Sequence, residues 1–344
     1  MGNSADKISV VMATYNGEEF LLEQLRSILA QTRIPDEVII CDDCSADQTV
    51  DILQNFIETN GLSNWFVFEN QENVGYLKNF REAMTRAAGD IVFLCDQDDV
   101  WENEKIALMV SEMERNPSIL ALACNYRLID GDGDPLESST RKYYNPPRKK
   151  TSDAISLVKS GKMLYYNIAQ GCACAYRRKL VDMYCAVEEC WILPHDWALN
   201  LLAYQEQGMY FLDRELLLYR IHGKNRFGIS SSWQVIYNRI PRLLDYAKTI
   251  GDAVELPIPE ETREEIRTLV EFTYVRIRWL REKRLSTWIG GFFRYFATIR
   301  EYFFFAYAKD FLLVILGRTP KEDDQGIGQC DCSDCQSESA GDLA

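Results

Sequence analysis

Ile91-Val-Phe-Leu-Cys-Asp-Gln-Asp-Asp99 sets five apolar residues directly against three carboxylates and an amide. A short, wholly apolar run of this kind reads as a strand covered on both faces, and the ligands of an open α/β sheet gather where such strands end. The pattern recurs upstream. Ile8-Ser-Val-Val-Met-Ala13 runs into Thr14-Tyr-Asn-Gly-Glu18, and Val38-Ile-Ile-Cys41 into Asp42-Asp-Cys-Ser-Ala-Asp47. Trp65-Phe-Val-Phe68 precedes Asn70-Gln-Glu-Asn-Val-Gly75. Between these strands lie helical stretches: one from about Glu18 with Leu21, Leu22, Leu25, Ile28 and Leu29 at helical spacing, then Thr49 to Ile57, Leu77 to Ala88 and Glu102 to Glu114. The alternation predicts a doubly wound α/β fold, a mainly parallel sheet with helices on both faces. Its four polar clusters then share one edge and form a single crevice.

Downstream, Ile119 to Ile129 reads as a strand, Gly131 to Pro135 as a turn, and the basic segment Arg141 to Lys150 as an irregular loop. Gln170 to Tyr176, Tyr210 to Leu212 and Leu216 to Arg220 read as short strands around a helix near Asp196 to Gln205. After Ser230 the pattern is helical only. This gives a catalytic unit at 1–230, a helical extension at 231–318 and an acidic, flexible tail at 319–344. Trp288 to Leu316 is aromatic, with Phe292, Phe296, Ile299 and Phe303 on one face and Arg294, Thr298 and Glu301 on the other. Charges interrupt it, so it lacks the roughly twenty apolar residues of a spanning helix and suits a helix lying in a membrane interface. Eleven Lys and Arg against six Asp and Glu between Arg263 and Arg318 favour an anionic surface. The competing reading is a helical appendage packed on the catalytic unit or on another subunit.

With 344 residues, 47% hydrophobic and 26% charged, the chain is a soluble globular protein. Its net charge of −14 argues against a nucleic-acid partner, which would need a basic face, yet leaves room for a nucleotide bridged to carboxylates by a metal. Eleven cysteines and no recognisable signal peptide point to a reducing cytoplasm and free thiols. Cys330, Cys332 and Cys335 in the tail are open to a soft-metal knuckle or to no role at all.

The carboxylates Asp96, Asp98 and Asp99 are the sharpest chemical signal. Like charges at one strand end repel, and a divalent cation among them keeps them ionised. Oxygen ligands suit Mg²⁺ or Mn²⁺. The plainer alternative is a solvated turn before a helix. Ser45 or Asp47 alone reads as a helix cap, and Asn73 to Gly75 alone as a turn. The two histidines, His195 and His222, fall in Pro194-His-Asp-Trp197 and Tyr219-Arg-Ile-His-Gly223. His222 suits a third metal ligand or a diphosphate contact; the alternative is a structural imidazole.

Val10 to Phe20, the Ile-Ile-Cys-Asp-Asp-Cys-Ser segment, Asn73-Val-Gly75, Asp96 to Trp101 and the two late motifs together resemble the inverting, nucleotide-sugar-dependent glycosyltransferases of family two. Within that family the likeness is to bacterial rhamnosyltransferase-type enzymes of surface-polysaccharide assembly. The resemblance spans residues 7 to about 228 and implies the GT-A fold. It implies that Thr14, Tyr15, Asn16 and Glu18 line the nucleotide pocket, that Asp43 hydrogen-bonds the base, and that Asn73, Gly75 and Lys78 lie beside the nucleoside. Asp96 would contact the ribose and metal region, Asp98 would ligate Mn²⁺ or Mg²⁺, and Asp196 would be the catalytic base. Position 195 departs from many relatives, which carry Glu there.

Such a transfer needs the leaving diphosphate stabilised and the acceptor hydroxyl deprotonated. Trp197 is the candidate for stacking on an acceptor sugar, or else a core residue. The expected donor is dTDP-linked rhamnose or a UDP-sugar, and the expected acceptor a lipid-linked saccharide. Two other classes compete: a receiver-like Mg²⁺ domain using Asp42 and Asp43, and a sugar- or nucleotide-binding module without turnover.

Overall fold

The computed structural model describes residues 5–136, 155–159, 161–164, 167–188, 192–223, 239–299 and 304–315. The basic loop 141–150, Phe303, the boundary at 230 and the tail 319–344 with its three cysteines lie outside the described residues.

The strands are β1 Ile8–Thr14, β2 Glu37–Asp42, β3 Trp65–Glu69, β4 Ile91–Cys95, β5 Val100–Trp101, β6 Ala121–Ile129, β7 Ile155–Leu157, β8 Cys174–Arg177 and β9 Met209–Arg220. Around them pack α1 Leu21–Leu29, α2 Thr49–Asn60, α3 Tyr76–Arg86, α4 Lys105–Arg115, α5 Arg178–Cys185 and α6 His195–Gln205. The C-terminal part contains α7 Arg239–Asp252, α8 Glu260–Glu282, α9 Leu285–Arg294, a short turn Phe296–Thr298, and α10 Phe304–Ile315.

The sheet order is β3-β2-β1-β4-β8-β6-β9-β5, with β7 also paired to β9. β3, β2, β1 and β4 run parallel, and the order reverses beside β1, so the crevice opens at the carboxyl ends of β1 and β4. β8 joins the two halves antiparallel to both β4 and β6. The central strands β1 and β4 are largely apolar because both faces are covered. Val11, Val92 and Leu94 meet α3, α5 and α6 on one side, while Val10, Met12 and Phe93 meet α1, α2 and α4 on the other.

Several elements differ from the sequence reading, each for a tertiary reason. The first helix begins at Leu21, since the amides of Phe20 and Leu21 close a turn on the Gly17 carbonyl. The helix expected from Glu102 starts at Lys105, because Val100–Trp101 pairs with β9 and buries the Trp101 ring. The two short strands at 210 and 216 are one strand, β9, bulged opposite Cys124 and Asn125. In the C-terminal stretch the helix breaks at Tyr295 (φ −116°). Ile299 therefore turns into the core at 2% exposure, while Phe293 stands out at 75%. The outward apolar strip is Leu285, Ile289, Phe293, Phe296, Leu312 and Ile315. Gly291 lets α9 approach α10 closely, and Trp288 stacks on Tyr307 across them. Among the described residues no helix is long and apolar enough to cross a membrane.

Candidate active site

The loops after β1 and β2 are laced together before any ligand enters. The Asp43 amide donates to the Thr14 carbonyl (2.8 Å), Asn16 N–H to Ser45 Oγ (2.9 Å) and Ala46 N–H to Asn16 Oδ1 (2.9 Å). Glu18 Oε2 accepts the Gln48 amide (2.9 Å). Asn16 (φ 47°) and Cys44 (φ 61°) hold left-handed backbone at this rim, a conformation that non-glycine residues keep only when their surroundings impose it.

Thr14 is buried and donates its hydroxyl to Asp42 Oδ1 (2.7 Å), so it shapes the pocket from behind. Tyr15 is 48% exposed and lies at the opening. Asp43 is buried: Oδ1 accepts Asn70 Nδ2 (3.0 Å) and Val74 N–H (2.8 Å), and Oδ2 accepts Gly75 N–H (2.9 Å). Oδ2 accepts that one hydrogen bond and has room for a second. The same carboxylate thereby shapes the 70–75 turn that carries Asn73 and Gly75, where φ of +84° favours glycine. Lys78 follows in the first turn of α3. Asp42 is also committed, to Thr14 and to the Ser45 amide and hydroxyl. Neither aspartate offers the open carboxylate that a phospho-accepting receiver domain would need.

The β4 end supplies the acidic cluster. Asp98 Oδ2 lies 2.8 Å from His222 Nε2, bringing together a carboxylate and an imidazole 124 residues apart. Asp96, Asp99 and Cys172 place ligand atoms within 4.8 Å of one another. Burial, then the neighbouring charges of Asp98 and Asp196, push the Asp96 carboxyl up to about 7. Burial, then Asp98 and Asp96, raise Asp99 as well. The Cys172 thiol is pushed up by burial and by both carboxylates, so it stays neutral and is a poor partner for a hard cation. The oxygen and nitrogen pair of Asp98 and His222, with Asp96 beside them, fits Mn²⁺ or Mg²⁺.

Asp196 occupies the first turn of α6, where Oδ2 accepts Gly171 N–H (3.1 Å) and Oδ1 accepts Trp197 N–H (2.8 Å). A Cβ on Gly171 would meet Asp196 Cβ at 3.2 Å and Leu94 Cδ1 at 3.3 Å, so the approach of the Gly171–Ala173 turn to Asp196 leaves little room for a side chain. His195 packs on Phe80 with ring centroids 4.3 Å apart, and burial lowers its pKa, which keeps the imidazole neutral. Trp197 corrects the acceptor-stacking expectation: it is 8% exposed and gives its indole N–H to the Met163 carbonyl (2.7 Å) within the core.

Gln97 was not singled out by sequence, although it sits inside the acidic motif. Its Oε1 accepts Tyr15 N–H (2.8 Å) and its Nε2 donates to the Tyr15 carbonyl (3.0 Å), tying the β4 loop to the β1 loop. Gly17 admits it, because a Cβ there would lie 2.3 Å from Gln97 Oε1. Lys105, wholly buried, donates to the Cys172 carbonyl and lies 3.8 Å above the Trp101 ring, a cation beneath the acidic cluster. No periodicity marks Gly171 or Lys105.

A parallel sheet whose order reverses beside β1, with carboxylates and an imidazole at the reversal, defines the nucleotide-sugar crevice of the GT-A fold. Residues 9–183 match Glycosyl transferase family 2, and the chain belongs to that family. It is 28% identical over 244 residues to a dTDP-rhamnosyl transferase, RfbG, of Shigella flexneri, covering 67% of this chain and 78% of that one. A glycosyltransferase of Nostoc, itself uncharacterised, shares 26% identity over 222 residues, 64% of this chain and 66% of its own length. Among solved structures, S. aureus TarS 1-349 in complex with UDP superposes with a TM-score of 0.54 at 19% identity, over 91% of this chain and 82% of that one. A mannosyltransferase from Pyrobaculum calidifontis, in complex with GDP-Man and Mn²⁺, gives 0.52 at 15%, over 91% and 85%.

Proposed function

We propose that the chain transfers a sugar from a nucleoside diphosphate to a saccharide hydroxyl with inversion, and that the donor is dTDP-rhamnose. The observation that carries this reading is the convergence at one sheet edge of Asp96, the Asp98–His222 pair and Asp196, drawn from β4, α6 and the end of β9. The Shigella relative's donor supports the choice of dTDP. Asp98 and His222 would hold Mn²⁺ or Mg²⁺, which when bound offsets the charge that develops on the departing diphosphate. Tyr15, Asn73, Gly75 and Lys78 border the nucleoside, and Asp43 accepts from the base. Asp196 keeps a lone pair on each oxygen beyond its two amide partners. It takes the proton of the acceptor hydroxyl as that oxygen attacks opposite the diphosphate.

The acceptor in this reading is a lipid-linked saccharide of a cell-surface polysaccharide. The outward strip from Leu285 to Ile315 supports it, since within residues 278–294 exposed Arg278, Arg281, Lys283, Arg284 and Arg294 accompany the apolar side chains against one acidic residue, Glu282. That pairing suits an anionic lipid surface. Self-association through the same helices is the second reading.

Thermal stabilisation by dTDP, UDP and GDP, each with and without Mn²⁺, tests the reaction class. A ligand at a hundredfold excess over Kd adds about 2.7 kcal/mol to the native state. Stabilisation by dTDP only with Mn²⁺ is expected; no response to any nucleotide would reduce the chain to a module of another kind.

A further inference from the structure

Arg220 ends β9 and is 1% exposed. Its Nε donates to the Asp98 carbonyl (2.9 Å), Nη1 to the carbonyls of Asp130 (3.2 Å) and Gly131 (3.0 Å), and Nη2 to the Glu23 carboxylate. Its backbone N–H donates to Asp99 Oδ1 (3.1 Å). The guanidinium lies over the Phe20 ring, 4.8 Å from its centroid, and the same ring lies against the His222 imidazole with centroids 4.6 Å apart. One side chain thus touches the β4–β5 loop, α1 and the end of β6, and it precedes His222 by two residues.

We propose that Arg220 is the positioning residue of the Asp98–His222 pair. It fixes the backbone of Asp98 from below and backs the Phe20 ring that supports His222, so both ligand atoms are set before a cation arrives. The inference rests on the metal-dependent reading above and deepens it. Stability alone is a weak reason for the residue: its carboxylate partner Glu23 is half exposed, and burying a guanidinium to reach such a partner yields little net gain. A planar fork with five donors is what can serve three chain segments at once, and a lysine offers one compact ammonium on a flexible stem. Residues that orient metal ligands from behind commonly change metal affinity roughly 10–100-fold when replaced.

The test is calorimetric binding of dTDP and UDP to the full chain, titrated with Mn²⁺, for the parent and Arg220→Lys. The expected result is a Mn²⁺ midpoint at least about tenfold higher in the variant, with nucleotide affinity in the absence of Mn²⁺ within twofold of the parent. A metal-dependent parent with an unchanged midpoint in Arg220→Lys overturns this inference alone. Equal loss of nucleotide binding with and without Mn²⁺ also overturns it, since a merely structural role would act that way. A parent that binds nucleotide identically with and without Mn²⁺ overturns the metal reading and this inference together. Should Arg220→Lys not fold, Phe20→Leu removes the ring between guanidinium and imidazole while keeping Arg220. A raised Mn²⁺ midpoint is expected there too, and an unchanged one counts against the proposal.

Discussion

Replacing Asp196 with Asn tests the base assignment, and the structure fixes what the change costs. The carboxylate accepts one amide on each oxygen, Gly171 N–H at 3.1 Å and Trp197 N–H at 2.8 Å. A carboxamide has a single acceptor oxygen, so whichever way it turns its NH₂ faces one of these donors. A buried donor left unpaired costs about 1–3 kcal/mol, which a domain stable by roughly 5–15 kcal/mol survives. The folded fraction therefore stays high, and turnover per folded molecule falls by about 10²–10⁴, the usual share of a positioned base. Nucleotide binding separates base from ligand. The Asp196 charge helps push Asp96 up to about 7, so removing it lets Asp96 ionise more readily. Metal-dependent nucleotide binding should then hold or tighten near pH 6.5. The assay is initial-rate transfer from the nucleotide sugar, beside calorimetry with Mn²⁺. Weakened Mn²⁺-dependent binding would make Asp196 a ligand, and turnover within tenfold of the parent would place the base elsewhere.

Three other perturbations have defined outcomes. With Asp96 raised above its unfolded value of 3.8 to about 7, the folded chain binds the extra proton between those limits. Stability of the metal-free protein should fall as pH rises through that window, while the increment from Mn²⁺ grows; melting curves at pH 5 to 8 with and without Mn²⁺ would show neither trend were Asp96 outside the cluster. Gly17→Ala puts a Cβ against the end of a flexible Gln97 side chain, so Gln97 swings away and frees Tyr15. Nucleotide Kd should rise several-fold with little change in melting, and an unchanged Kd would remove the clamp from the site. Ser at both Phe293 and Phe296 should abolish flotation with anionic vesicles while leaving transfer to a soluble acceptor intact; unchanged flotation sinks the membrane reading, and loss of a dimer in sedimentation would support self-association.

The parallel half of the fold was legible because burial on both faces leaves apolar runs at the centres of β1, β2 and β4, Val10–Ala13, Val38–Cys41 and Ile91–Cys95. What sequence could not carry was pairing. β5 has two residues, too few for a periodicity, and pairs with Leu217 and Leu218 of β9. The polar run Asp213-Arg-Glu215 read as a gap between strands, yet it is the bulge of one. The site was legible as a set of strand-end clusters, but the availability of each side chain was not. Asp43 and Asp98 look alike in sequence; one is committed to loop amides and the other faces His222. Trp197 reads as a stacking ring for a sugar and Tyr15 as part of the nucleotide pocket, and only packing separates the indole in the core from the phenol at the rim.

The deployment of the buried cations completes the electrostatic argument. Four aspartates meet at the crevice with Lys105 and Arg220 beneath them. Lys105 gives its ammonium to the carbonyl of Cys172, and Arg220 gives Nε to the carbonyl of Asp98. The field of Lys105 reaches the carboxylates: it acts to lower Asp96 even though burial wins. A carboxylate clamped by arginine is ionised but has lone pairs already filled. Support through the backbone carbonyl holds the loop in place, and burial raises Asp96 and Asp99. The metal-free cluster is therefore destabilising in itself, and a divalent cation would complete it by binding where protons otherwise sit.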